Sequence, residues 1–354
     1  MKLTHIAESA IALAKELGAT DAECTISEGS RFETTVRMGE VENIKDAGSR
    51  AAGIRVLEGK RAGSAYTSDL SDDGIRHMVR SAIEIAGIAS EDPMAGLPEE
   101  SDLGQLAGDL QLYHEDTLNV PAGERIQWAK HAERAALDAD PRITNSEGGS
   151  FDSSTGRRVF ANSRGFIGEY RYSSCSLTAQ PVAKDNGAME RDYWSSSARS
   201  LDKLESAESV GKQAAARVLR RLNPRKVATQ RCPVIFEQRV ARTIASHIFE
   251  AVNGTAVYRK SSFLAGKLGE KVANECLTVI DDATIPGLFG TSPFDDEGVP
   301  SRRTVVIENG VLKSYLLNTY TAKKLGLKTT GNASRGVAGN AGVGHGNLYI
   351  EKGS

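Results

Sequence analysis

The stretch that decides the fold of this chain runs from Asp21 to Thr67 and reads DAECTISEGSRFETTVRMGEVENIKDAGSRAAGIRVLEGKRAGSAYT. Short runs with alternating apolar residues are separated by glycines, a pattern typical of strands joined by tight turns. The runs predict five strands, at 22–27, 31–38, 41–45, 51–57 and 62–67. The stretch as a whole therefore predicts a meander of antiparallel hairpins.

Helical patterns lie on both sides of this meander. Apolar residues recur at helical spacing from Ile6 to Leu17, and Gly18 follows as a natural stop. A second pattern of the same period begins after Ser71, whose hydroxyl can cap the free backbone N–H groups of a helix start. The first unit is therefore predicted to be a helix, a β-meander and a second helix.

The same order of elements recurs further along the chain. A stretch with prolines, many acidic residues and little periodicity predicts a linker at 93–120. After it, helical patterns at 123–138 and 207–222 enclose strand-like runs between 142 and 178. We therefore predict an α+β fold in which the first two units each form a meander sheet with packed helices. The predicted parts are an N-terminal α+β domain at 1–92, a central α+β domain at 121–224 and a β-rich C-terminal domain at 228–354.

The C-terminal domain begins with an apolar run, Cys-Pro-Val-Ile-Phe at 232–236, which predicts a strand leading into a helix over 239–252. Nearer the end, six glycines lie between Gly331 and Gly346. This stretch has no strand-to-helix context and no Lys-Ser/Thr ending, so it does not predict a phosphate-binding loop.

The composition excludes several classes of protein. Of 354 residues, 44 are Lys or Arg and 46 are Asp or Glu, so the formal net charge is −2. A hydrophobic fraction of 40% excludes wholesale disorder. The balanced charge argues against direct nucleic-acid binding, which usually needs a concentrated basic face. An apolar run of about 18 residues and a secretory signal pattern are both missing, so we predict a cytoplasmic protein with no membrane partner.

The cysteines do not predict a metal or disulfide site. They stand at positions 24, 175, 232 and 276, far apart and without a Cys-x-x-Cys pair. Buried, reduced thiols are the simplest interpretation.

One helix carries the strongest candidates for metal or proton chemistry. His247 and Glu250 are three positions apart on the predicted helix, which places imidazole and carboxylate on one face. A zinc peptidase helix would also carry a second His one turn on and a carboxylate beside the first His. Ile248 and Val252 occupy those positions. His247 and Glu250 are therefore candidate catalytic residues, with local pairing on a half-buried helix as the alternative, and no metal ligand is assigned.

A polar and aromatic group follows the break at Asn253-Gly254. Its members Tyr258, Arg259, Lys260 and Ser261 are candidates for binding a peptide or a partner, because interfaces favour Tyr and Arg. A solvated basic turn is the alternative. Two acidic clusters, at 281–282 and 295–297, stand beside turn residues and are predicted to be solvated caps rather than cation sites.

A series of motifs in the last third of the chain resembles a known family. AVYRKSSFL at 256–264 is followed by TSPFDDEGV at 291–299, ENGVLKSYLL at 308–317 and AKKLGLKTTG at 322–331. This order resembles the TldD/PmbA family, specifically its PmbA branch, also called TldE and known as a modulator of DNA gyrase. The resemblance covers essentially the whole chain, including GIRV at 53–56 and GSAY at 63–66.

The resemblance implies a cytoplasmic protease system that acts on unfolded peptides, including precursors of modified peptide antibiotics. In that system a TldD-type subunit supplies zinc through the helix motif His-Glu-x-x-x-His, and a TldE-type subunit pairs with it around a shared chamber. The corresponding stretch here, ASHIFEAV at 245–252, departs from that motif. We therefore expect no cofactor bound by this chain, zinc in the TldD-type partner, and either a heterodimer with that partner or a homodimer.

The sequence leaves three functions open. The first is a non-catalytic subunit that selects extended peptides by adding their backbone to a sheet edge. The second is a self-sufficient metallopeptidase that uses His247, Glu250 and a distant ligand such as Cys276. The third is a non-enzymatic regulator of the gyrase-modulator type. Members of the family continue beyond a segment like that at 347–353, so we also expect a truncated form with an incomplete C-terminal sheet.

Overall fold

The structure is a computed structural model that describes residues 2–353. The N-terminal part consists of α1 (Leu3–Glu16), β1 (Asp21–Arg37), β2 (Glu40–Glu58), β3 (Arg61–Thr67) and α2 (Asp72–Ile88). The central part consists of α3 (Ala122–Leu137), β4 (Ile143–Asn162), β5 (Ile167–Asp185), β6 (Ala188–Arg191), β7 (Trp194–Ala198) and α4 (Ala207–Leu219). The C-terminal part consists of α5 (Gln238–Val252), α6 (Gly254–Tyr258), β8 (Val279–Asp282), β9 (Arg303–Glu308), β10 (Val311–Leu312), α7 (Thr319–Leu325), β11 (Ala333–Ser334), β12 (Gly342–Val343) and β13 (Leu348–Ile350). The predicted α+β class is confirmed.

The first two parts share one sheet, whereas the sequence predicts a separate meander sheet for each. The strand order is β3-β2-β1-β4-β5-β6, and β7 also pairs with β5. Strand β1 is antiparallel to β2 on one side and to β4 on the other. An isolated meander would leave the second edge of β1 unpaired, and pairing with β4 removes that exposed edge.

The strands are also longer than predicted, because two glycines expected at turns, Gly29 and Gly48, lie inside β1 and β2. Gly29 stands opposite Ser49 on β2 and Gly156 on β4. A Cβ added at Gly29 would lie 2.5 Å from the carbonyl oxygen of Thr155. Glycine is therefore required here for close approach of strands rather than for a turn. The turn between β1 and β2 lies instead at Met38-Gly39, where both residues have positive φ.

All four long helices of these two parts pack on one face of the sheet. One buried cluster joins α1 and α2 to the sheet through residues such as Cys24, Ile26 and Ile54. Another joins α3 and α4 to it through residues such as Phe32 and Leu177. Because side chains alternate between the faces of a strand, Glu23 and Thr25 point to the opposite face, on which the C-terminal part packs.

The C-terminal part forms a second sheet with the order β10-β9-β8-β13, packed with α5, α6 and α7 around its own core. The prediction of a strand at 232–236 is wrong. Those residues have no regular structure and are exposed, Ile235 to 96%. In residues 2–353 no other strand pairs with this segment, so its backbone has no ladder to join.

The predicted linker at 93–120 is held against the rest of the molecule by backbone hydrogen bonds. The N–H groups of Gly104 and Leu106 donate to the carbonyls of Gly298 and Pro293, and the carbonyl of Leu112 accepts from Ser173 of β5. The linker therefore follows the junction between the sheet and the C-terminal part. Across the described residues, no helix combines the length and the apolar character that a membrane crossing needs.

Candidate functional site

A cleft of about 410 Å³ lies between the helix-free face of the large sheet and the C-terminal part. Tyr170 and Tyr172 of β5 line its sheet side, and Phe294, Asn332 and His345 line the opposite side. The cleft therefore joins residues that are more than 100 positions apart in the sequence. We call it the interdomain cleft.

Aromatic side chains fix the two sides of the interdomain cleft relative to each other. The ring of Phe294 stands edge-on to Tyr170, with 5.5 Å between centroids, and edge-on to Phe166, with 5.1 Å. Such edge-to-face pairs stabilise by about 0.5–1.5 kcal/mol beyond the burial of area. Burial raises the pKa of Tyr170 to about 12, so its phenol stays protonated as a neutral hydrogen-bond donor.

The loop at one end of the interdomain cleft is held by Arg199. Its guanidinium donates to the carbonyls of Leu288 and Phe289 at 3.0 and 3.2 Å. It also reaches the carbonyls of Leu112 and Ser173 at 3.4 Å. Burial lowers the pKa of Arg199, but an arginine remains charged at neutral pH. A buried cation thus ties the linker, β5 and the loop at 288–289 together.

The interdomain cleft continues onto the open half of the sheet face. A second depression, of about 470 Å³, shares Ser174 and Phe289 with it. Its floor is polar, with Arg31 paired to Asp152 at 2.8 Å and hydroxyls contributed by several serines. Together the two depressions form a groove lined by hydrogen-bonding groups, which suits an extended polar chain.

The acidic cluster at 295–297 lies under the interdomain cleft, and its prediction as a solvated cap is wrong. Asp295 and Glu297 are buried, at 7% and 6% exposure. Asp295 accepts from the backbone N–H groups of Glu297, Val299 and Ala333 at 2.9–3.0 Å. A carboxylate in a tight turn can satisfy buried backbone donors as well as it caps exposed ones.

The two buried carboxyls influence each other's ionisation. Burial, followed by the nearby charge of Glu297, raises the pKa of Asp295 to about 8 and outweighs its backbone hydrogen bonds. Burial, followed by the charge of Glu23, also raises the pKa of Glu297, against the bond that Glu297 accepts from the N–H of Thr319 at 2.9 Å. Two carboxyls in one buried site cannot easily both ionise, so the pair retains a proton near neutral pH.

An ionic network connects this cluster to the sheet. Glu23 of β1 accepts from Arg55 at 2.8 Å and from Arg335 at 2.5 Å. Arg158 of β4 pairs with Asp296 at 2.8 Å, and Asp296 also accepts from the backbone N–H of Arg335. The C-terminal part is therefore attached to the sheet by buried charges as well as by aromatic rings.

Asp281 is a further acidic residue whose prediction as a solvated cap is wrong. It is 2% exposed and accepts a 2.7 Å hydrogen bond from Asn332. Burial raises its pKa, and the Asn332 bond opposes that rise.

The structure places the predicted catalytic candidates away from the interdomain cleft. His247 and Glu250 are exposed on α5, and Cys276 is exposed in a loop. Within residues 2–353 no three His, Cys, Asp or Glu side chains come together in a group that could hold a metal ion. A catalytic zinc needs three protein ligands, so the arrangement of His247, Glu250 and Cys276 does not fit the zinc site of a self-sufficient metallopeptidase.

The predicted binding residues form a short loop that begins with Tyr258, the last residue of α6. Arg259 donates to the Tyr258 hydroxyl at 3.1 Å, and the Tyr258 ring stands edge-on to Tyr320. Lys260 has positive φ, and Ser261 bonds back to Ala256. Tyr258 and Arg259 line a pocket of about 380 Å³ that also contains Arg55 and Glu297, so the loop borders the junction with the N-terminal part.

The residues of the interdomain cleft and of the ionic network beside it are difficult to recognise in the sequence. Glu23 lies between the apolar residues Ala22 and Cys24. A polar residue in such an alternating run is typical of the solvent-exposed face of a strand, so nothing in the sequence marks Glu23 as buried. Arg335 and Asn332 lie in a glycine-rich stretch with no periodicity. Only the acidic run at 295–297 gave a signal, and it was interpreted as exposed.

Comparison with known proteins identifies the family. The models of the PmbA/TldA metallopeptidase family match residues 22–86 (domain 1), 115–222 (central domain) and 229–354 (C-terminal domain). The chain belongs to the PmbA/TldD metallopeptidase family. The PmbA resemblance drawn from the sequence is thereby confirmed.

Curated PmbA/TldD-family relatives are similar along most of this chain. Metalloprotease PmbA of Escherichia coli O157:H7 is 42% identical over 331 residues, which are 93% of this chain and 73% of the relative. The Metalloprotease PmbA homolog of Haemophilus influenzae is 38% identical over 94% of this chain and 73% of the relative.

Solved structures share the fold. A Bacteroides thetaiotaomicron protein described as a modulator of DNA gyrase has a TM-score of 0.90 at 26% identity, covering 99% of this chain and 77% of that chain. TldE from Thermococcus kodakarensis has a TM-score of 0.83 at 22% identity, covering 99% and 78%.

Proposed function

We propose that this PmbA/TldD-family chain is a TldE-like, non-catalytic subunit of a zinc-dependent protease that degrades or matures unfolded peptides. In this proposal a TldD-type subunit holds the zinc. The curated relatives are named metalloproteases, and one of them, at 24% identity over 301 residues, is named a TldD homolog. The proposal also assigns the pair to the cytoplasm, as the resemblance implies.

The observation that carries the non-catalytic role is the setting of His247 and Glu250. Both project from α5 into solvent, and the described part of the chain brings no third side chain of a metal-ligating type beside them. We therefore derive no hydrolytic step through this chain. Its own residues would bind and orient the peptide while the partner supplies the reaction.

Two features support peptide binding. The groove formed by the interdomain cleft and the depression beside it is lined by hydroxyls, phenols and amides that can bond a peptide backbone. In addition, β3 pairs with β2 only from Ala52 onward, so residues 40–51 of β2 form a free edge beside β1. These residues are almost all exposed, including Val41 and Ile44. A free edge can pair with an extended peptide by adding a strand.

The proposed partner is a TldD-type subunit, with a homodimer as the alternative assembly. The loop of Tyr258, Arg259, Lys260 and Ser261 is the proposed contact surface. Its tyrosine and arginine are residue types that carry much of the binding energy at protein interfaces.

The experiment compares an unfolded peptide incubated with this chain alone, with a TldD-type protein alone and with both, in the presence of zinc. We expect no cleavage by this chain alone and efficient cleavage by the pair. We expect the variant His247→Ala/Glu250→Ala to support cleavage as well as the unchanged chain does. Zinc-dependent cleavage by this chain alone that the double variant abolishes would refute the proposal.

A binding assay tests the edge of β2 separately. An unstructured peptide should bind to the chain, and the same peptide with alternate residues N-methylated should not, because it can no longer donate to a strand. Equal binding of both peptides would exclude strand addition but would leave the subunit role intact.

A further inference from the structure

A trough of about 770 Å³ lies on the helix-covered face of the large sheet, opposite the interdomain cleft. On β1, Ile26 packs under α1 and α2, and Phe32 packs under α3 and α4. Glu28 and Ser30 stand on the same face between them and line the trough. The trough is therefore the gap between the two pairs of helices.

A row of charged side chains crosses the trough over four adjacent strands. Glu28 of β1 stands opposite Arg50 of β2 and opposite Arg157 of β4, and Arg157 stands opposite Arg171 of β5. Residues directly opposite each other project to the same face. The row therefore brings three guanidiniums and one carboxylate together, and Glu169 of β5 adds a second carboxylate to the trough.

The middle of this row is neutralised and its two ends are not. Arg157 donates to both carboxylate oxygens of Glu169, at 2.6 and 2.9 Å, and lies 3.8 Å from Glu28. In residues 2–353 neither Arg50 nor Arg171 has a carboxylate oxygen within 4 Å. The charge of Arg50 contributes to the lowered pKa of Asp69, after hydrogen bonds from Ser71, but forms no ion pair with it.

The Arg171 side chain is ordered by an aromatic ring. Its guanidinium lies 3.6 Å from the centroid of the Tyr113 ring, which also lines the trough. Such cation–π contacts leave the N–H groups at the guanidinium edge free to bind an anion.

The two free arginines start from well-separated strands. The backbone positions of Arg50 and Arg171 are three strand spacings of roughly 4.8 Å apart, or about 14 Å, which favours a ligand with two separate anionic groups over one small anion. An extended peptide rises about 3.4 Å per residue, so acidic side chains four residues apart match that distance.

The floor of the trough next to this charged row suits a peptide backbone. The hydroxyls of Ser30 and Thr155 lie 3.1 Å apart, and Gly48 of β2 stands opposite Ser30. The missing side chain at Gly48 leaves the floor open, and the hydroxyls can bond to amide groups that pass over them.

We propose that this trough binds an extended acidic peptide segment whose carboxylates, four residues apart, engage Arg50 and Arg171. A nucleic acid fits less well, because its continuous phosphates would face the carboxylates of Glu28 and Glu169 at the centre. The trough lies on the face opposite the interdomain cleft, so this site does not depend on the subunit role proposed above.

The test uses fluorescence anisotropy at low ionic strength with the full chain and a labelled nine-residue Gly/Ser peptide that carries Glu at its third and seventh positions. We expect saturable binding that weakens at least tenfold in Arg50→Gln/Arg171→Gln. We also expect at least tenfold weaker binding when both peptide Glu are replaced by Gln, or when they are placed next to each other. Charge-assisted hydrogen bonds of ordinary strength give losses of this size.

The matched control is Arg80→Gln, an exposed arginine on α2 with no ion pair among the described residues. It should bind the peptide as tightly as the unchanged chain. Equal weakening by Arg80→Gln, or equal binding of the Gln peptide, would overturn the proposal. The proposal would also be overturned if a short single-stranded oligonucleotide bound more tightly than the Glu peptide and this binding depended on Arg50 and Arg171. That result would indicate a phosphate site.

Discussion

Arg335 donates a 2.5 Å hydrogen bond to Glu23, and the side chains are only 3% and 1% exposed. The bond joins the C-terminal part to the first strand of the large sheet across 312 positions of sequence. Burial alone would raise the pKa of Glu23, but Arg335 and Arg55 outweigh burial and lower it. The carboxylate is therefore ionised at neutral pH, and the junction depends on paired buried charge.

Removing one partner of this pair should destabilise the chain strongly. We expect Arg335→Met to lower the free energy of unfolding by about 3–5 kcal/mol, because it leaves Glu23 buried with half of its compensation. The double variant Arg335→Met/Glu23→Met should recover part of that loss, since the one charge left unpaired is that of Arg55, which is partly exposed and keeps its hydrogen bond to Asn340. Urea unfolding followed by fluorescence measures both.

The control for this prediction is Arg134→Met on α3, whose partner Asp138 is exposed. Arg134→Met should lower the free energy of unfolding by less than about 1 kcal/mol. Similar costs for the Arg335 and Arg134 variants would mean that the buried pair contributes no more than a surface pair does.

The stability of the chain should fall as the pH rises from acid conditions to about 8. Asp295 has a pKa of about 8 in the folded chain against an ordinary value of 3.8, so the folded state binds the extra proton between those values. Its contribution is therefore complete below about pH 4 and is lost as the pH rises through 8. We expect urea midpoints to decline between pH 6 and pH 9, and Asp295→Asn to flatten that decline. An unchanged slope in Asp295→Asn would show that other groups cause it.

A methyl group at Gly53 should disturb the attachment of the C-terminal part. A Cβ there would lie 2.0 Å from the carbonyl oxygen of Val337, a backbone atom that cannot move alone. We expect Gly53→Ala to lower the free energy of unfolding by on the order of 1–3 kcal/mol. The control is Gly87→Ala at an exposed position of α2, where no atom lies near the added Cβ. It should leave the free energy of unfolding unchanged or raise it by up to about 1 kcal/mol. Thermal melts compare the two, and equal melting temperatures would contradict the close contact.

The proposed contact loop can be tested with a single side chain. Arg259 is exposed beside Tyr258, and its truncation removes charge and contact area without affecting the core. We expect Arg259→Ala to weaken association with a TldD-type subunit by about 1–2 kcal/mol, or roughly five- to thirtyfold. Sedimentation velocity gives the affinity. Arg80→Ala serves as the control, and an equal effect of both variants would assign the contact to general surface charge.

The local features of the fold could be predicted from the sequence because they depend on nearby residues. The period of the apolar positions in α1 and the cap at Ser71, whose hydroxyl accepts from Gly74, belong to this class. The antiparallel pairing of the N-terminal strands also follows from the short turns that join them. Gly29 was misread because a glycine in an extended run signals either a turn or a close approach, and only the position of Thr155 distinguishes them.

The site could not be predicted in the same way because it is made by contacts between distant segments. Asp295 and Glu297 look like surface residues beside a turn until Ala333 and Thr319 are seen to donate to them. The segment at 232–236 shows the reverse case, in which apolar residues predict a strand that has no partner in the described chain. Pairing partners are properties of the tertiary structure and leave no local trace.

The shared sheet has a consequence for synthesis of the chain. Strand β1 is aligned with β4 from Glu23, opposite Asn162, to Val36, opposite Gly149. The first strand thus cannot complete its hydrogen bonds until Asn162, at the end of β4, has left the ribosome. During that interval its second edge is open, and a nascent chain that stalls there would be exposed to mispairing with other chains. The family's first domain is in this sense a dependent segment, and it acquires its native edge only when the central domain emerges.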